Sequence, residues 1–181
     1  MAAATIARVG RPVVHHFSEH ASIREFVPHV PATNPNHHPA VWAIDTAHAP
    51  LYWFPRDCPR VAVWPRPSDD NRKFEASWAT TARRVHVTES DWLDRMRTTT
   101  IYRYDLPAEA FAPWTHVSGQ WIAETSVTPL DVVAIPDLLG AHAAAGIELR
   151  FTPRLWPAHD LAVSEDWDFG IVRMTNAQPR T

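Results

Sequence analysis

The sequence has little cysteine and no long apolar run. Among its 181 residues Cys58 is the single cysteine, so no disulfide can form within the chain and nothing indicates an oxidising compartment. No stretch approaches the ~20 apolar residues of a membrane-spanning helix, and residues 1–10 lack the apolar run of a signal peptide. We therefore expect a cytoplasmic protein without a membrane partner, in which residues 1–10 form a flexible or edge segment.

Glycine is also scarce. The chain contains five glycines, namely Gly10, Gly119, Gly140, Gly146 and Gly170. Their spacing excludes the GxGxxG fingerprint of dinucleotide-binding folds, and none of them precedes the Lys and Ser or Thr of a phosphate-binding loop. Any nucleotide must therefore be bound by another architecture.

Positive charge is not in excess, since the formal net charge is -3. The basic residues are scattered along the chain and form no stripe that could follow a phosphodiester backbone. Duplex nucleic acid is therefore excluded as a partner, whereas a nucleotide or another small molecule is not.

Apolar and aromatic residues are plentiful. Hydrophobic residues make up 45% of the chain and include nine tryptophans and seven phenylalanines, enough apolar area to build a sizeable core. The seventeen prolines break the chain into short elements. A chain of this length fits one domain, so we predict a single domain over residues 1–181.

Hydrophobic patterning predicts more strands than helices. The predicted strands are Pro12–Phe17, Val41–Asp45, Cys58–Trp64, Arg83–Thr88, Thr99–Leu106, Gln120–Glu124, Leu130–Ile135, Ile147–Thr152 and Phe169–Met174. The predicted helices are Asp69–Ala79, Ser90–Met96 and Pro136–Ala145, with a helical turn beginning at Ser22 and helical spacing over Thr46–Phe54. Because strands and helices do not alternate regularly, the class is α+β, with a mixed, largely antiparallel sheet and short helices.

One local pattern has the spacing of a metal site. His16, Glu19 and His20 follow the HxxEH order of inverted zinc peptidases, in which both histidines lie on one face of a helix. Here His16 ends a predicted strand and Ser18 begins a turn, so we predict no metal ligands. A metal-dependent hydrolase that uses these three residues stays an alternative.

A second set of polar residues is harder to assign to packing. His16 and Glu124 each end a predicted strand, and Arg97 precedes a run of threonines. Tyr52, Trp53 and Tyr102 are placed to stack on a planar ligand if the ends of the Val41 and Thr99 strands meet. We expect these side chains to face one cleft.

Several segments resemble a family of uncharacterised bacterial proteins of similar length. They are HHFSE at His15–Glu19, AVWAID at Ala40–Asp45, LYWFPRDCPRV at Leu51–Val61, RTTTIYRY at Arg97–Tyr104 and ETSVTPL at Glu124–Leu130. They span most of the chain, and the family brings no established activity.

More remotely, His16, Phe17 and Ser18 are similar to the first strand of ADP-ribosyltransferase-like domains. That resemblance implies that NAD is a substrate, that His16 binds its ribose, that Tyr52 stacks on its nicotinamide and that a late glutamate, here Glu124, is catalytic. We predict catalytic roles for Glu124 and His16, and a cofactor site that also includes Ser18, Tyr52, Arg97 and Tyr102. The alternative is a noncatalytic module that binds a protein or small ligand through its aromatic surface.

Overall fold

The computed structural model describes residues 11–31 and 36–180, so the predicted N-terminal segment 1–10 lies outside the described residues. Backbone contacts divide the chain into two compact units. Unit 1 comprises the described parts of Met1–His16, Ser22–His48 and Tyr104–Val132. Unit 2 comprises those of Phe17–Ala21, Ala49–Arg103 and Val133–Thr181. The single domain stays a prediction.

The described residues form ten strands and four α-helices. The strands are β1 Val13–Ser18, β2 Val41–Ile44, β3 Arg60–Trp64, β4 Val85–Glu89, β5 Ile101–Pro107, β6 Ala112–Pro113, β7 Gln120–Ala123, β8 Asp131–Ile135, β9 Glu148–Thr152 and β10 Asp168–Val172. The helices are α1 Asn71–Trp78, α2 Leu93–Thr98, α3 Leu138–Ala144 and α4 Trp156–Ser164.

These strands form two sheets. One has the order β6-β7-β2-β1-β5-β8, and the other has the order β10-β3-β4-β9. The pairings of β2 with β1 and β7, of β6 with β7, and of β3 with β4 and β10 are antiparallel, and β4 pairs with β9 in parallel. The predicted α+β class, with largely antiparallel sheets and short helices, is therefore confirmed.

In unit 1, the predicted helical turn at Ser22 is wrong. Phe26 instead forms an isolated antiparallel bridge with Val127, in which each backbone N–H donates to the other residue's carbonyl at 2.9 Å. Phe26 is buried, and its ring packs edge-on against Tyr104 with 5.2 Å between centroids. A partner distant in sequence thus satisfies backbone groups that a helix would have satisfied locally.

In unit 2, the pleat of β3 and β4 separates an apolar face from a polar one. Val61 and Val63 on β3, and Val85 and Val87 on β4, share a buried cluster with Phe74, Trp78, Leu155 and Trp167. The intervening residues point to the opposite face because side chains alternate along a strand. These are Arg60, Ala62, His86 and Thr88, and all four are buried.

The polar face of unit 2 holds Cys58 and Arg60. Cys58 is fully buried, 3.1 Å from the hydroxyl of Thr88, and burial raises the pKa of its thiol to about 11. Arg60 donates to the carbonyls of Leu51 and Cys58, and burial lowers its pKa to about 10. The thiol is therefore protonated at neutral pH and suits a core residue better than a nucleophile.

A buried carboxylate fastens the C-terminal segment of unit 2. Glu89 is 1% exposed, and it accepts the backbone N–H of Leu155 at 3.1 Å and that of Gln178 at 3.0 Å. Three contacts from backbone N–H groups thus stabilise the carboxylate of Glu89, whose burial would otherwise be costly.

Replacing Glu89 by glutamine should lower the free energy of unfolding by about 1.5 to 3 kcal/mol, since the charged acceptor becomes a neutral amide whose NH2 group cannot accept an N–H. Urea denaturation measures this change. Asp91→Asn is the matched control, because Asp91 bonds the exposed side chain of the same Gln178 at 3.0 Å. Equal losses in the two variants would contradict the special role of the buried carboxylate.

Among the described residues, the helices are all too short or too polar to cross a membrane. The cytoplasmic location stays a prediction.

Candidate functional site

His16 is held in a fixed orientation within unit 1. Its Nδ1 lies 2.9 Å from the carbonyl oxygen of Trp42, and its ring lies 4.7 Å from that of Phe26. A carbonyl only accepts hydrogen bonds, so Nδ1 carries the proton and Nε2 is the acceptor nitrogen of the neutral ring.

Glu124 lies away from His16. Its side chain is 75% exposed, and its carboxylate lies 3.5 Å from Nε2 of His38. His15 pairs with Ile44, and Ala43 pairs with Trp121, so Glu124 is two strands across and three residues along from His16. Strand spacings place the two Cα atoms roughly 14 Å apart, too far for two side chains perpendicular to a sheet to contact one atom.

The other predicted cofactor residues belong to unit 2. Tyr52 stacks on Phe17, with 6.2 Å between centroids and 8° between ring planes. Ser18 accepts the backbone N–H of His20 at 3.1 Å, Arg97 lies 3.7 Å from Asp94, and Tyr102 is half-buried on β5. A shared cleft for these residues and His16 stays a prediction.

The residue before His16 is the centre of a polar chain in unit 1. His15 is 4% exposed, and its Nδ1 lies 2.8 Å from a carboxylate oxygen of Asp105. Its Nε2 lies 2.9 Å from the hydroxyl of Thr46. The Asp105 side chain is 15% exposed, whereas Thr46 is exposed. A buried base thus connects a shielded carboxylate to a hydroxyl at the surface.

Strand geometry explains this convergence. The pleat of β1 directs His15 to the face opposite His16. Asp105 lies on β5, the neighbour of β1 in the sheet. His15 pairs with Ile44, the last residue of β2, so the chain passes His15 just before Thr46. We define Asp105, His15 and Thr46 as the Asp–His–Thr chain.

The order of groups in the Asp–His–Thr chain defines its chemistry. The Asp105 carboxylate accepts the Nδ1 proton of His15, so Nε2 accepts the proton of the Thr46 hydroxyl. This is the order of carboxylate, imidazole and hydroxyl in Ser-His-Asp hydrolases, where the imidazole takes the hydroxyl proton and the carboxylate stabilises the imidazolium. The chain can therefore act as a general base on a hydroxyl group.

A second Asp–His pair adjoins Thr46. The carboxylate of Asp45 accepts two hydrogen bonds from His48, one from its backbone N–H at 2.8 Å and one from its ring Nδ1–H at 2.7 Å. The backbone N–H of Asp45 in turn donates to the carbonyl of Gly119 at 2.8 Å. These bonds fix the turn that carries Thr46, so its hydroxyl has a defined position beside His15.

Gly119 is required by this turn. Its φ is +77°, and a Cβ built there would lie 2.2 Å from Nδ1 of His48. Gly119→Ala should therefore destabilise the protein by at least about 1 to 3 kcal/mol, measured as the free energy of unfolding in urea. Gly146→Ala is the control, since its φ is also positive but its Cβ would meet nothing within 4 Å. A smaller loss for Gly119→Ala than for the control would contradict the tight contact.

The HxxEH pattern does not form a helix. His16 lies on β1, and Glu19, in unit 2, accepts the backbone N–H of Arg56 at 2.8 Å. Within residues 11–31 and 36–180, no group of three His, Cys, Asp or Glu side chains is placed to hold a metal ion. The metal-hydrolase alternative therefore has no ligand set in this part of the chain.

Comparison with known proteins gives a family without an assigned activity. The profile of a family of unknown function (DUF6886) matches residues 15–177. The chain belongs to this family. The DUF6886 match begins at His15 and includes Thr46 and Asp105, so the Asp–His–Thr chain lies within the family region. No curated protein and no solved structure matches. The predicted membership of an uncharacterised family is confirmed, and its bacterial origin stays a prediction.

Sequence reasoning chose His16 and missed its neighbour. The signal that could have indicated His15 is the pattern of β1, where alternation puts His15 and His16 on opposite faces of a strand. Asp105 was visible as a charged residue within an aromatic strand. Thr46 carried no signal of its own, because a threonine after a strand is typical of turns.

Proposed function

We propose that this protein binds NAD or a related nucleotide, as ADP-ribosyltransferase-like domains do, and cleaves its nicotinamide bond at the Asp–His–Thr chain. The observation that carries this proposal is His15, held at 2.8 Å from Asp105 and 2.9 Å from the exposed Thr46. Buried, hydrogen-bonded acid–base groups that end at an exposed hydroxyl are typical of reacting centres. The α+β class is compatible with such a domain but does not specify the reaction.

In the first step, the hydroxyl oxygen of Thr46 attacks the ribose carbon that bears nicotinamide. The oxygen–carbon bond forms as the carbon–nitrogen bond breaks, and the bonding pair leaves with nicotinamide, whose ring loses its positive charge. The hydroxyl proton passes to Nε2 of His15, and the Asp105 carboxylate stabilises the imidazolium that results.

In the second step, water attacks the same ribose carbon and the carbon–oxygen bond to Thr46 breaks. His15 returns its proton to the threonine oxygen, and the water releases a proton to solvent. The net reaction converts NAD and water to ADP-ribose, nicotinamide and a proton. A second acceptor hydroxyl in place of water would give ADP-ribosyl transfer.

His16 keeps a binding role in this proposal. The resemblance to ADP-ribosyltransferase-like domains assigns His16 to the ribose, and the contact of its Nδ1 with the Trp42 carbonyl orients the ring. Glu124 is no longer assigned to the reacting carbon, because strand spacing separates it from His16.

Two measurements on the wild-type chain test the proposal. Isothermal titration with NAD should give saturable binding, and chromatography should show nicotinamide released with time. Mass spectrometry of the quenched reaction should find ADP-ribose on the peptide that contains Thr46. Binding without release would instead indicate the noncatalytic ligand-binding alternative, and the absence of both would overturn the proposal.

A further inference from the structure

Five aromatic rings of unit 1 form a cluster distinct from the Asp–His–Thr chain. We call it the histidine–tryptophan cluster, and its members are His37, His38, Trp42, Trp114 and His116. Trp42 and Trp114 pack with 5.2 Å between centroids, and His37 lies 4.9 Å from Trp42 and 4.6 Å from Trp114. His38 stacks on His37 at 4.4 Å, and His116 lies 4.7 Å from Trp114.

Within the part of the chain that the structure describes, two buried polar atoms of this cluster have no hydrogen-bond partner. They are Nε2 of His37, a residue only 9% exposed, and Nε1 of Trp42. Nδ1 of His37 lies 2.5 Å from the carbonyl of His38, so Nδ1 carries the proton and Nε2 is an acceptor. The indole N–H of Trp42 is a donor. The cluster thus presents an unmet acceptor and an unmet donor on neighbouring rings.

Burying a polar atom without a hydrogen-bond partner is unfavourable, and a ligand that satisfies both atoms removes this cost. Among the described residues of unit 2, Nε2 of His86 and the indole N–H groups of Trp53 and Trp78 also lack partners. In the histidine–tryptophan cluster the rings that carry the donor and the acceptor are packed together, with 4.9 Å between the centroids of His37 and Trp42, which defines a complementary pair of ligand groups. A ligand needs its own donor next to an acceptor.

We propose that the histidine–tryptophan cluster binds the edge of an adenine-type base. Adenine presents an amino donor beside the N7 acceptor, the complement of His37 Nε2 and the Trp42 N–H. Stacking on aromatic side chains favours binding of any base, because every base has a π-face. His38 has a side chain that is 60% exposed, so its ring can turn into solvent and leave a ring-sized position against His37.

Nuclear magnetic resonance of the ¹⁵N-labelled full chain tests this site. The indole N–H signal of Trp42, assigned with Trp42→Phe, should shift on addition of adenosine. The same variant keeps an aromatic ring but lacks the donor, so it should bind adenosine about tenfold more weakly. Trp53→Phe makes the same chemical change in unit 2 and should leave the affinity unchanged.

Guanosine is the matched comparison ligand, since the corresponding edge of guanine presents two acceptors and no donor. Equal shifts with both nucleosides, or no shift with adenosine, would overturn the proposal. A crystal structure with an ordered water between the two atoms and no bound adenosine would do the same. This site is independent of the proposed reaction, because Thr46→Val should bind adenosine like the wild type.

Discussion

Replacing Thr46 by valine is expected to lower the rate of nicotinamide release from NAD by about 10² to 10⁴-fold, since it removes the nucleophilic hydroxyl and with it the proton transfer to His15, which alone contributes a factor of this size. Valine keeps the branched shape of threonine but lacks the hydroxyl that contacts Nε2 of His15 at 2.9 Å. Thr46 is exposed, so this change should have little effect on folding. Thr46→Ser restores a hydroxyl and should retain most of the rate.

His15 and Asp105, the other two members of the Asp–His–Thr chain, should act together with Thr46. His15→Gln removes the base, and Asp105→Asn removes the carboxylate that fixes its tautomer, so each should lower the rate by a similar factor. Their effects should not add in the double variant. Both residues are partly or fully buried, so the melting temperature of each variant must be compared with the wild type.

His16→Gln and Glu124→Gln separate this centre from the one predicted by sequence. His16→Gln should weaken NAD binding, and Glu124→Gln should leave the rate of release unchanged. If Glu124→Gln abolishes release while Thr46→Val does not, the reacting centre proposed here is wrong.

The largest effect on stability is expected from acid, through two buried histidines in unit 2. His86 and His142 are 0% and 1% exposed, and Nε2 of His142 lies 3.0 Å from Nδ1 of His86. Nδ1 of His142 donates to the carbonyl of Leu138 at 2.7 Å, so in the neutral ring Nε2 accepts the Nδ1 proton of His86. A single proton between the two rings thus satisfies both nitrogens.

Burial lowers the pKa of both rings. The pKa of His86 lies well below its usual value because of burial, with a further contribution from His142 and the charges of Arg84 and Arg60. Burial also lowers the pKa of His142, which its bond to the Leu138 carbonyl partly opposes. The unfolded chain, with an ordinary histidine pKa of ~6.5, therefore binds protons at pH values where the folded chain does not.

Stability should consequently be full above pH ~6.5 and fall as the pH drops below it. Each histidine contributes about 1.36 kcal/mol per pH unit, so the pair contributes roughly 2.7 kcal/mol per unit until the folded protein is protonated. Urea denaturation at pH 7.5, 6.5 and 5.5 measures this slope. His159→Gln, at a partly exposed histidine of α4, should leave the slope nearly unchanged.

The folded-state resonances provide a second check that needs no variant. When the pH is lowered from 7.5 to 5.5, the imidazole signals of His86 should stay at their neutral positions, and any change in those of His142 should come below pH ~6.5. A titration of either ring near pH 6.5 in the folded protein would contradict the shift.

Much of the local structure could be predicted because it depends on short-range pattern. Hydrophobic patterning predicted β3 and β4, the four-residue spacing of Phe74 and Trp78 predicted α1, and Pro136 and Gly146 predicted the two ends of α3. In the structure Asp70 and Asp137 cap α1 and α3, accepting the backbone N–H groups of Arg72 and Gly140.

Other elements could not be predicted because their partners are distant. The helical spacing over Thr46–Phe54 became a turn and a short 3-10 helix at Ala49–Tyr52. Helix α4 was missed, and its first turn contains Pro157, which suits that position but is also typical of loops. In both segments the local sequence pattern was compatible with a helix and with a turn or loop. Packing against residues distant in sequence therefore decided which of these formed.

The sequence by itself determined the α+β class, the short elements and the exclusion of glycine-based nucleotide motifs, since these depend on composition and local periodicity. Only the tertiary structure decided which polar residues meet. His15 is 90 residues from Asp105 and 31 residues from Thr46, and strand pairing brings them together. The choice between His15 and His16 also depended on pairing, because one residue along a strand reverses the face to which a side chain points.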